Sequence, residues 1–566
     1  MSKQIKSKIV DTLTKLYGSV DAIDSLIIEV NRTTDTSHGD LYTNVAMKLA
    51  KLLRKNPLLI AEEISKNFEA IDSIEKIEIA KPGYINFFLT QSNKFNELNR
   101  IINDDLIILK ESNKKNIHIE YVSANPTGPL HIGHGRGMIV GDTTARFLTY
   151  QGHSVNREYY VNDAGRQIDL LLVSTLLSYL NREDHVFSDE KESDEGLLVT
   201  YKGSYINEVS KIISSFLEEI DGQKVLSLLN EPIDTVIKFL KKHKNYLSIR
   251  KSLVNVIIND YIKEDLSSVN IEFDSWYYES DLYKTGLLNK ILVDLENKKL
   301  SYKKDGALWF KNTKFGEEKD RVLVKSNGDM TYFSTDIAYH AHKFKQYDLL
   351  IDIWGADHHD YAIRLTNAMK ALGYDVDNRL QIHLIQFANL IRGGKSISMS
   401  TRSGDFYPLQ ELVKEIGCDA TKFFYLTKKK EQHLEFDVDL AIEKNKNNPI
   451  YYIQYAHARI KRIINDIKQQ VIEKEDLNNL KTKNENELIE LINLYQDTIN
   501  KATKEIRPDI ITNYLYKISQ AFHSYYAETK ILSSEIKGEK ILLIKCVDKI
   551  ILNGFQLLDI EPMDVM

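Results

Sequence analysis

Two imidazoles three residues apart, His131 and His134, sit in the run Pro129-Leu130-His131-Ile132-Gly133-His134. If a helix opens there, its unpaired N–H groups and its dipole favour an anion. The rings can then donate hydrogen bonds to a phosphate while charge builds in an in-line attack. Gly133 between them lets a flat base or a ribose approach the backbone. A second run, Trp354-Gly355-Ala356-Asp357-His358-His359-Asp360, has residue types that ligate divalent ions. Tyr332 and Asp336 are four apart, so they share one face of a helix predicted from Thr331 to His342.

These residues need a scaffold, and the sequence around them reads as one. Ile117 to Val122 alternates like a buried strand and Glu120 lies at its end. The loop Ser123-Ala124-Asn125-Pro126-Thr127-Gly128-Pro129 follows, then a helix from His131 to about Tyr150, a stop at Gly152, and a strand from Val155 to Val161. Strand, loop, helix, strand is the building block of a parallel nucleotide-binding sheet, and such sheets bind ligands at the carboxyl ends of their strands. Acidic, helix-rich sequence interrupts it at about 170–255, with Asp189 to Glu195 as a solvated loop. The strand pattern returns at Ile271, Ala307 to Phe310, Val322 to Lys325, Leu349 to Trp354 and Ile382 to Phe387.

The flanks differ from this centre. Residues 1–110 read as a small separate α/β unit, with helices at Ile5 to Tyr17 and Asn44 to Leu53, a turn at Lys81-Pro82-Gly83-Tyr84 and a strand at Ile85 to Leu89. Lys110 to Asn116 is a polar linker. From Pro408 onward the pattern is helical almost throughout, most clearly at Lys483 to Tyr495 and Ile510 to Leu532. The expected domains are 1–110, a catalytic α/β domain at 115–405 carrying the insertion, and an all-α bundle at 406–566.

Composition bounds the function classes. With 566 residues the chain exceeds one ordinary core. Hydrophobic residues at 43% and charged residues at 28% fit a folded, globular protein. Two cysteines, Cys418 and Cys546, cannot build a disulfide framework and fit a reducing compartment. No signal core and no run near the roughly 18 apolar residues of a membrane span occur, so the cytoplasm is the expected location. The net charge of −6 argues against non-specific nucleic-acid binding, so any such partner must be held by local basic patches or by shape.

His-Ile-Gly-His after a strand resembles the first signature of class I aminoacyl-tRNA synthetases. The run from Glu120 through Pro129 is similar to arginyl-tRNA synthetases in particular. So are Tyr159-Tyr160-Val161-Asn162-Asp163-Ala164-Gly165, Tyr201-x-Gly203-x-Tyr205, Lys263-Glu264-Asp265-Leu266, and Asn448 to Arg459. The resemblance covers nearly the whole chain. It implies a Rossmann-like catalytic domain, an arginine pocket formed by Glu120, Asn125, Tyr332 and Asp336, and ATP contacts from Ala124 through His134 and from Gly355, Asp357, His358 and Met399. A guanidinium needs fixed, partly desolvated carboxylates, which Glu120 and Asp336 supply. The C-terminal mixture of Tyr451, Tyr452, Tyr455, Arg459, Lys461 and Arg462 suits RNA, and the family's helical anticodon domain lies there.

Ser398-Met399-Ser400-Thr401-Arg402-Ser403-Gly404 stands where class I enzymes carry Lys-Met-Ser-Lys. Ser398 and Thr401 depart from both lysines, and Gly128 stands where some relatives place a substitute lysine. Arg402 first and Lys395 second are the expected replacement cations; Ser400 completes the candidate catalytic set with His131 and His134. The implied reaction joins arginine to the 3′ end of tRNA at the expense of ATP. Mg²⁺ enters with the ATP, no cofactor is permanently bound, no protein metal site is expected, and the chain is expected to be a monomer without a membrane partner. Two readings stand beside it. One is a tRNA-binding paralogue without catalysis. The other is a metal-dependent phosphoesterase, because Asp357-His358-His359 resembles such a signature; the further N-terminal aspartates of that family are not found.

Overall fold

The computed structural model describes residues 2–18, 28–33, 36–103, 113–187, 200–396, 407–467, 476–532 and 537–566. They form two compact units, one of 1–107, 462–495 and 520–550, the other of 108–461, 496–519 and 551–566.

The second unit is built on five parallel strands: β1 (Asn116–Glu120), β2 (Ser154–Val161), β3 (Ser275–Tyr278), β4 (Leu349–Gly355) and β5 (Leu380–Ile385). Their spatial order is β5-β4-β1-β2-β3. The chain starts at the centre, winds to one edge and returns to the other side, so the order reverses between β1 and β4. A crevice opens at the carboxyl ends of strands at such a switch point. Helices α1 (Ile132–Tyr150) and α2 (Tyr332–Lys343) precede β2 and β4. β1 is buried on both faces, as a central parallel strand must be; even His118 and Glu120 are only 0% and 6% exposed. Phe333, Ile337 and Tyr339 of α2 pack with Tyr160 and Leu350 in one apolar core.

The predicted strand near Ile271 lies instead at Ser275–Tyr278, where it pairs with β2 from Glu158 to Val161. The predicted strands near 307–310 and 322–325 are real but outside the parallel sheet. With Ser301–Lys304 they make a separate antiparallel sheet, Arg321–Val324 against Ala307–Phe310 against Ser301–Lys304. Their alternation marked extended chain but carried nothing about pairing partners. Among the described residues, the helical region after Pro408 also contains a strand, Leu434–Asp437, parallel to Ala388–Arg392. Four residues among charged neighbours are too short for a periodic signal. Between β2 and β3 the described residues are helical, ending in Tyr246–Val256, a π-helical stretch Ile257–Ile262, and Lys263–Ser267. The predicted loop at Asp189 to Glu195 lies outside the described residues.

The first unit contains the antiparallel sheet Asn31–Arg32, Leu41–Thr43, Tyr84–Leu89, Ile74–Ala80. Helices Ser2–Tyr17, Val45–Leu53 and Pro57–Asn67 cover a core of Ile5, Ile9, Leu49, Ile60 and Phe87. Asn56 caps the third of these helices, accepting from Leu58 N at 2.9 Å, with Pro57 at the favoured first position.

Candidate active site

The loop between β1 and α1 is bent sharply where the sheet opens. Val122 and Ser123 have φ of 65° and 42°, left-handed values that a β-branched valine rarely adopts. Side chains hold the loop in place. Ser123 Oγ donates to Glu120 Oε1 at 3.1 Å and accepts the Tyr160 N–H at 3.1 Å. Tyr159 Oη donates to Ala124 O at 2.9 Å, and Tyr205 Oη, from the insertion, donates to Thr127 O at 2.9 Å. The Tyr205 ring also fills the space beside Gly128, where an added Cβ would lie 3.0 Å from it. A lysine at 128 would meet that ring.

His131 is the N-cap of α1. Its Nδ1 accepts the Gly133 N–H at 3.0 Å, and His134 Nδ1 accepts the His131 N–H at 3.2 Å. With both Nδ1 atoms accepting, a neutral ring must carry its proton on Nε2. Burial pushes His131 down to about 4 and His134 down to about 3, the neighbouring His131 adding to the latter. At neutral pH both rings are therefore uncharged Nε2–H donors. They line a cavity of about 210 Å³ together with Ala124, Asn125, Thr127 through Leu130, Gln167, Tyr201 and Tyr205.

A larger cavity of about 450 Å³ lies over the carboxyl ends of β1 and β4. Glu120, Asn125, Tyr332, Asp336, Gly355 and His358, far apart in sequence, all line it. Asn125 and Gln167 line both cavities, so one elongated substrate pair can span them. Burial lifts the Asp336 carboxyl to about 6, and the charge of Glu120 adds to the lift, while a hydrogen bond from Tyr361 Oη opposes it. Glu279, 3% exposed, is lifted to about 7 by burial and then by the charge of Asp336. Its Oε2 has no hydrogen-bond partner.

Glu120 is in a different state. Lys343 Nζ reaches its Oε2 at 3.0 Å and Asp352 Oδ1 at 2.9 Å, and lies 4.2 Å from the Tyr339 ring centroid. Burial disfavours the Lys343 charge, yet Asp352 and Glu120 outweigh it and hold the ammonium in its charged form. Burial alone would raise Asp352; Lys343 and His340 hold it well below the usual range. His340 donates from Nδ1 to Asp336 O at 2.8 Å and faces Asp352 Oδ2 at 2.9 Å through Nε2. Both oxygens of Glu120 are thus engaged, by Lys343 and Ser123, whereas among the described residues neither Asp336 nor Glu279 forms an ion pair; His340 and Lys343 act on Asp336, and Arg250 on Glu279, only through their charge. The arrangement suits an incoming cation at the Asp336 and Glu279 end.

Other sequence-predicted residues fall elsewhere. Asp357 is exposed and in neither lining, its Oδ2 3.6 Å from Nε2 of His358, which does line the larger cavity. Pro126 and Ile132 are buried and shape the loop. Lys395 is exposed, paired with Arg392 across the turn Gly393-Gly394. Met399, Ser400 and Arg402 lie outside the described residues. Among the described residues no group of three or more Asp, Glu, His or Cys could hold a metal ion, and no helix is long and apolar enough to cross a membrane. Sequence reasoning missed Glu279, Gln167, Lys343, His340 and Tyr361. A signal existed for two of them: 332, 336, 340 and 343 recur every three to four residues, one face of α2.

Comparison with known proteins gives consistent matches along the whole length. The family model "tRNA synthetases class I (R), catalytic domain" matches residues 97–467. "Arginyl tRNA synthetase N terminal domain" matches 3–89, and "DALR anticodon binding domain" matches 453–566. The arginine–tRNA ligase of Hydrogenovibrio crunogenus is 38% identical over 596 residues, covering 100% of this chain and 99% of that one. That of Nitrosomonas europaea is 39% identical over 550 residues, covering 94% of each. A solved structure of a putative arginyl tRNA synthetase from Campylobacter jejuni has a TM-score of 0.71 at 32% identity, covering 84% of this chain and 100% of that one. The Thermus thermophilus arginyl-tRNA synthetase shares the fold, with a TM-score of 0.76 at 20% identity and 100% of both chains covered.

Proposed function

The chain belongs to the arginyl-tRNA synthetase family of class I enzymes, and from that premise we propose how its two cavities divide the work of an arginine–tRNA ligase. The ligase function itself follows from full-length relatives at 37–39% identity, which favour it over a non-catalytic paralogue and over a phosphoesterase.

In this reading the larger cavity takes arginine. Asp336, in its lining, receives the guanidinium together with Glu279, because among the described residues neither carboxylate forms an ion pair and the Glu279 Oε2 has no hydrogen-bond partner. That imbalance is the observation that carries the assignment. Glu120, already balanced by Lys343, serves with Asn125 at the α-amino end, and Tyr332, 52% exposed, covers the mouth. The carboxylate of arginine then points toward Asn125 and Gln167, where the cavities meet.

ATP, carrying Mg²⁺, places its phosphates in the smaller cavity and its adenosine against Gly355, Asp357 and His358, the first and last of which line the larger one. A carboxylate oxygen of arginine attacks the α-phosphorus, and the bond to pyrophosphate breaks. His131 and His134 donate from Nε2 to the oxygens on which charge builds. Being uncharged and fixed by their Nδ1 contacts, they need no reorganisation at the moment of reaction. Arg402 and then Lys395 are the cations for the departing pyrophosphate. The tRNA 3′-terminal hydroxyl next attacks the carbonyl of the adenylate, and AMP leaves.

The helical region from residue 406 onward and the N-terminal domain to residue 110 contact the tRNA, and the enzyme works as a cytoplasmic monomer. Charging of total tRNA with each amino acid in turn tests the reading. Arginine alone should be accepted; acceptance of lysine at comparable kcat/KM would overturn the assigned pocket.

A further inference from the structure

Three chain segments meet beneath the signature histidines. Tyr407 to Gln410, which follow the Ser398-to-Gly404 run after two intervening residues, lie antiparallel to Leu130 to Ile132. Ile132 N donates to Tyr407 O at 3.2 Å and Leu409 N to Leu130 O at 3.1 Å, with His131 and Pro408 bridged between them. The Leu130 N–H is met by no backbone oxygen. It donates to Asp265 Oδ2 at 2.6 Å.

Asp265 comes from the last helical turn before β3, just beyond the π-helical stretch, a form that recurs at functional sites. It is 2% exposed, and its carboxyl also accepts a hydrogen bond from the Gln410 side chain. Burial lifts it to about 7, and the Leu130 and Gln410 groups that donate to it are uncharged. Such a group is costly to bury, yet it stands one residue from His131. The start of α1 is gripped from its other side too. Tyr425 Oη donates to Ile132 O at 2.8 Å, and its ring lies 2.5 Å from where a Cβ on Gly135 would be.

We propose that Asp265 is a positioning residue for the reaction: by joining Leu130 to Gln410 it fixes the backbone from which His131 and His134 present Nε2–H. The helical segment before β3 thereby takes part in chemistry that Asp265 itself does not touch. The inference rests on the reading of those histidines as the groups that meet the phosphates. A loss of the clamp lets the N-cap turn rotate, so the rings miss the oxygens of the transition state while substrates still bind. The signature is therefore a fall in kcat at nearly constant KM.

Steady-state aminoacylation with saturating tRNA tests it in Asp265→Ala, Asp265→Asn, Gln410→Leu and His131→Ala. Asp265→Ala should lose about tenfold or more in kcat, with KM for arginine and ATP within about threefold. Asp265→Asn should stay within about threefold of the parent, because Asn Oδ1 still accepts from Leu130 N. Wild-type kcat in Asp265→Ala, equal losses in the alanine and asparagine variants, or KM rising in step with the loss would each overturn the proposal. If Asp265→Ala does not fold, Gln410→Leu decides. Its expected kcat loss is about threefold or more at an unchanged melting temperature, and parental kcat there overturns the clamp. Should His131→Ala itself keep its rate, the reading of the histidines has failed; should it lose rate while Asp265→Ala does not, the clamp alone has failed.

Discussion

The two ends of the active site are built by different means. The proposed phosphate end centres on one continuous stretch, Ala124 to His134, whose histidines are uncharged and held by backbone N–H groups, with Gln167, Tyr201 and Tyr205 completing the wall. The amino-acid end gathers Glu120, Glu279, Asp336, Lys343 and Asp352 from four elements, and charge decides what each does. A triphosphate is recognised by a helix start and oriented N–H groups, which a short sequence can encode. A guanidinium is recognised by desolvated carboxylates, which must be kept from pairing with the protein's own cations. Lys343 is the device that divides them: it pairs directly with Glu120 and Asp352 and leaves Asp336 and Glu279 without an ion-pair partner among the described residues.

The sharpest way to break this contrast is a substitution at each end. Asp336→Asn should raise the arginine KM by roughly 30-fold to several thousandfold, since removing one partner of a buried charge pair costs roughly 2–5 kcal/mol. The ATP KM should change less than about twofold. His134→Ala should do the reverse, cutting the single-turnover activation rate by about 10²–10³-fold with smaller changes in either KM. An unchanged arginine KM in the first variant, or a KM effect without a rate effect in the second, would erase the distinction between a charge-built and a donor-built end.

A pH series sharpens the same point with a smaller effect. In the free enzyme Asp336 titrates at about 6 and Glu279 at about 7, against ordinary values of 3.8 and 4.5. Raised carboxyls keep their protons longer in the folded state, so their contribution to stability is complete below the ordinary values and is lost as pH rises through about 6 to 7. Arginine binds the ionised forms and must displace those protons. Its KM should therefore rise by about tenfold or more from pH 8 to pH 5.5. The gain in melting temperature on adding arginine should be larger at pH 8 than at pH 5.5. The histidines, at about 4 and about 3, stay neutral across this range and should contribute no inflection. A flat arginine KM would show that neither carboxyl receives the guanidinium.

The same division governs what the sequence revealed. The elements of the proposed phosphate end were readable because local rules suffice: a strand, a Pro/Gly loop, then histidines at a helix start, found at β1, residues 121–131 and α1. Tyr332 and Asp336 were legible as a helical pair, and they do line the larger cavity. Glu279 was not, because nothing in Tyr278-Glu279-Ser280 distinguishes a buried acid from a solvated one. Glu120 was legible as a strand-end carboxylate, but its engagement with Lys343, 223 residues away, depends on the packing of α2. Likewise Asp265 stood in a recognisable run, while its bond to Leu130, 135 residues away, is a tertiary event. Short strands failed for a related reason: alternation at 307–310 and 321–324 marks extended chain and leaves the partner open.

The smallest expected effect concerns the one candidate cation at the phosphate end that the described residues include. Lys395 follows the turn Gly393-Gly394, whose φ values of 56° and 72° are those of a tight hairpin. The hairpin is anchored rather than free to swing, because Gly393 N donates to Asp439 Oδ2 at 2.6 Å. Arg392, its cross-strand neighbour, is already engaged by Glu415 and by Tyr407 Oη at 3.2 Å. Lys395 itself is exposed, so water and salt screen whatever field it adds. A screened point charge is worth far less than a desolvated donor. Lys395→Ala should therefore lose less than about tenfold in single-turnover activation, or under about 1.4 kcal/mol, and the loss should shrink as salt is raised. Arg402→Ala should lose more, since its guanidinium fork suits phosphate oxygens. If Lys395→Ala instead matched His134→Ala, the phosphate end would depend on charge as the amino-acid end does, and the contrast between the two would fall.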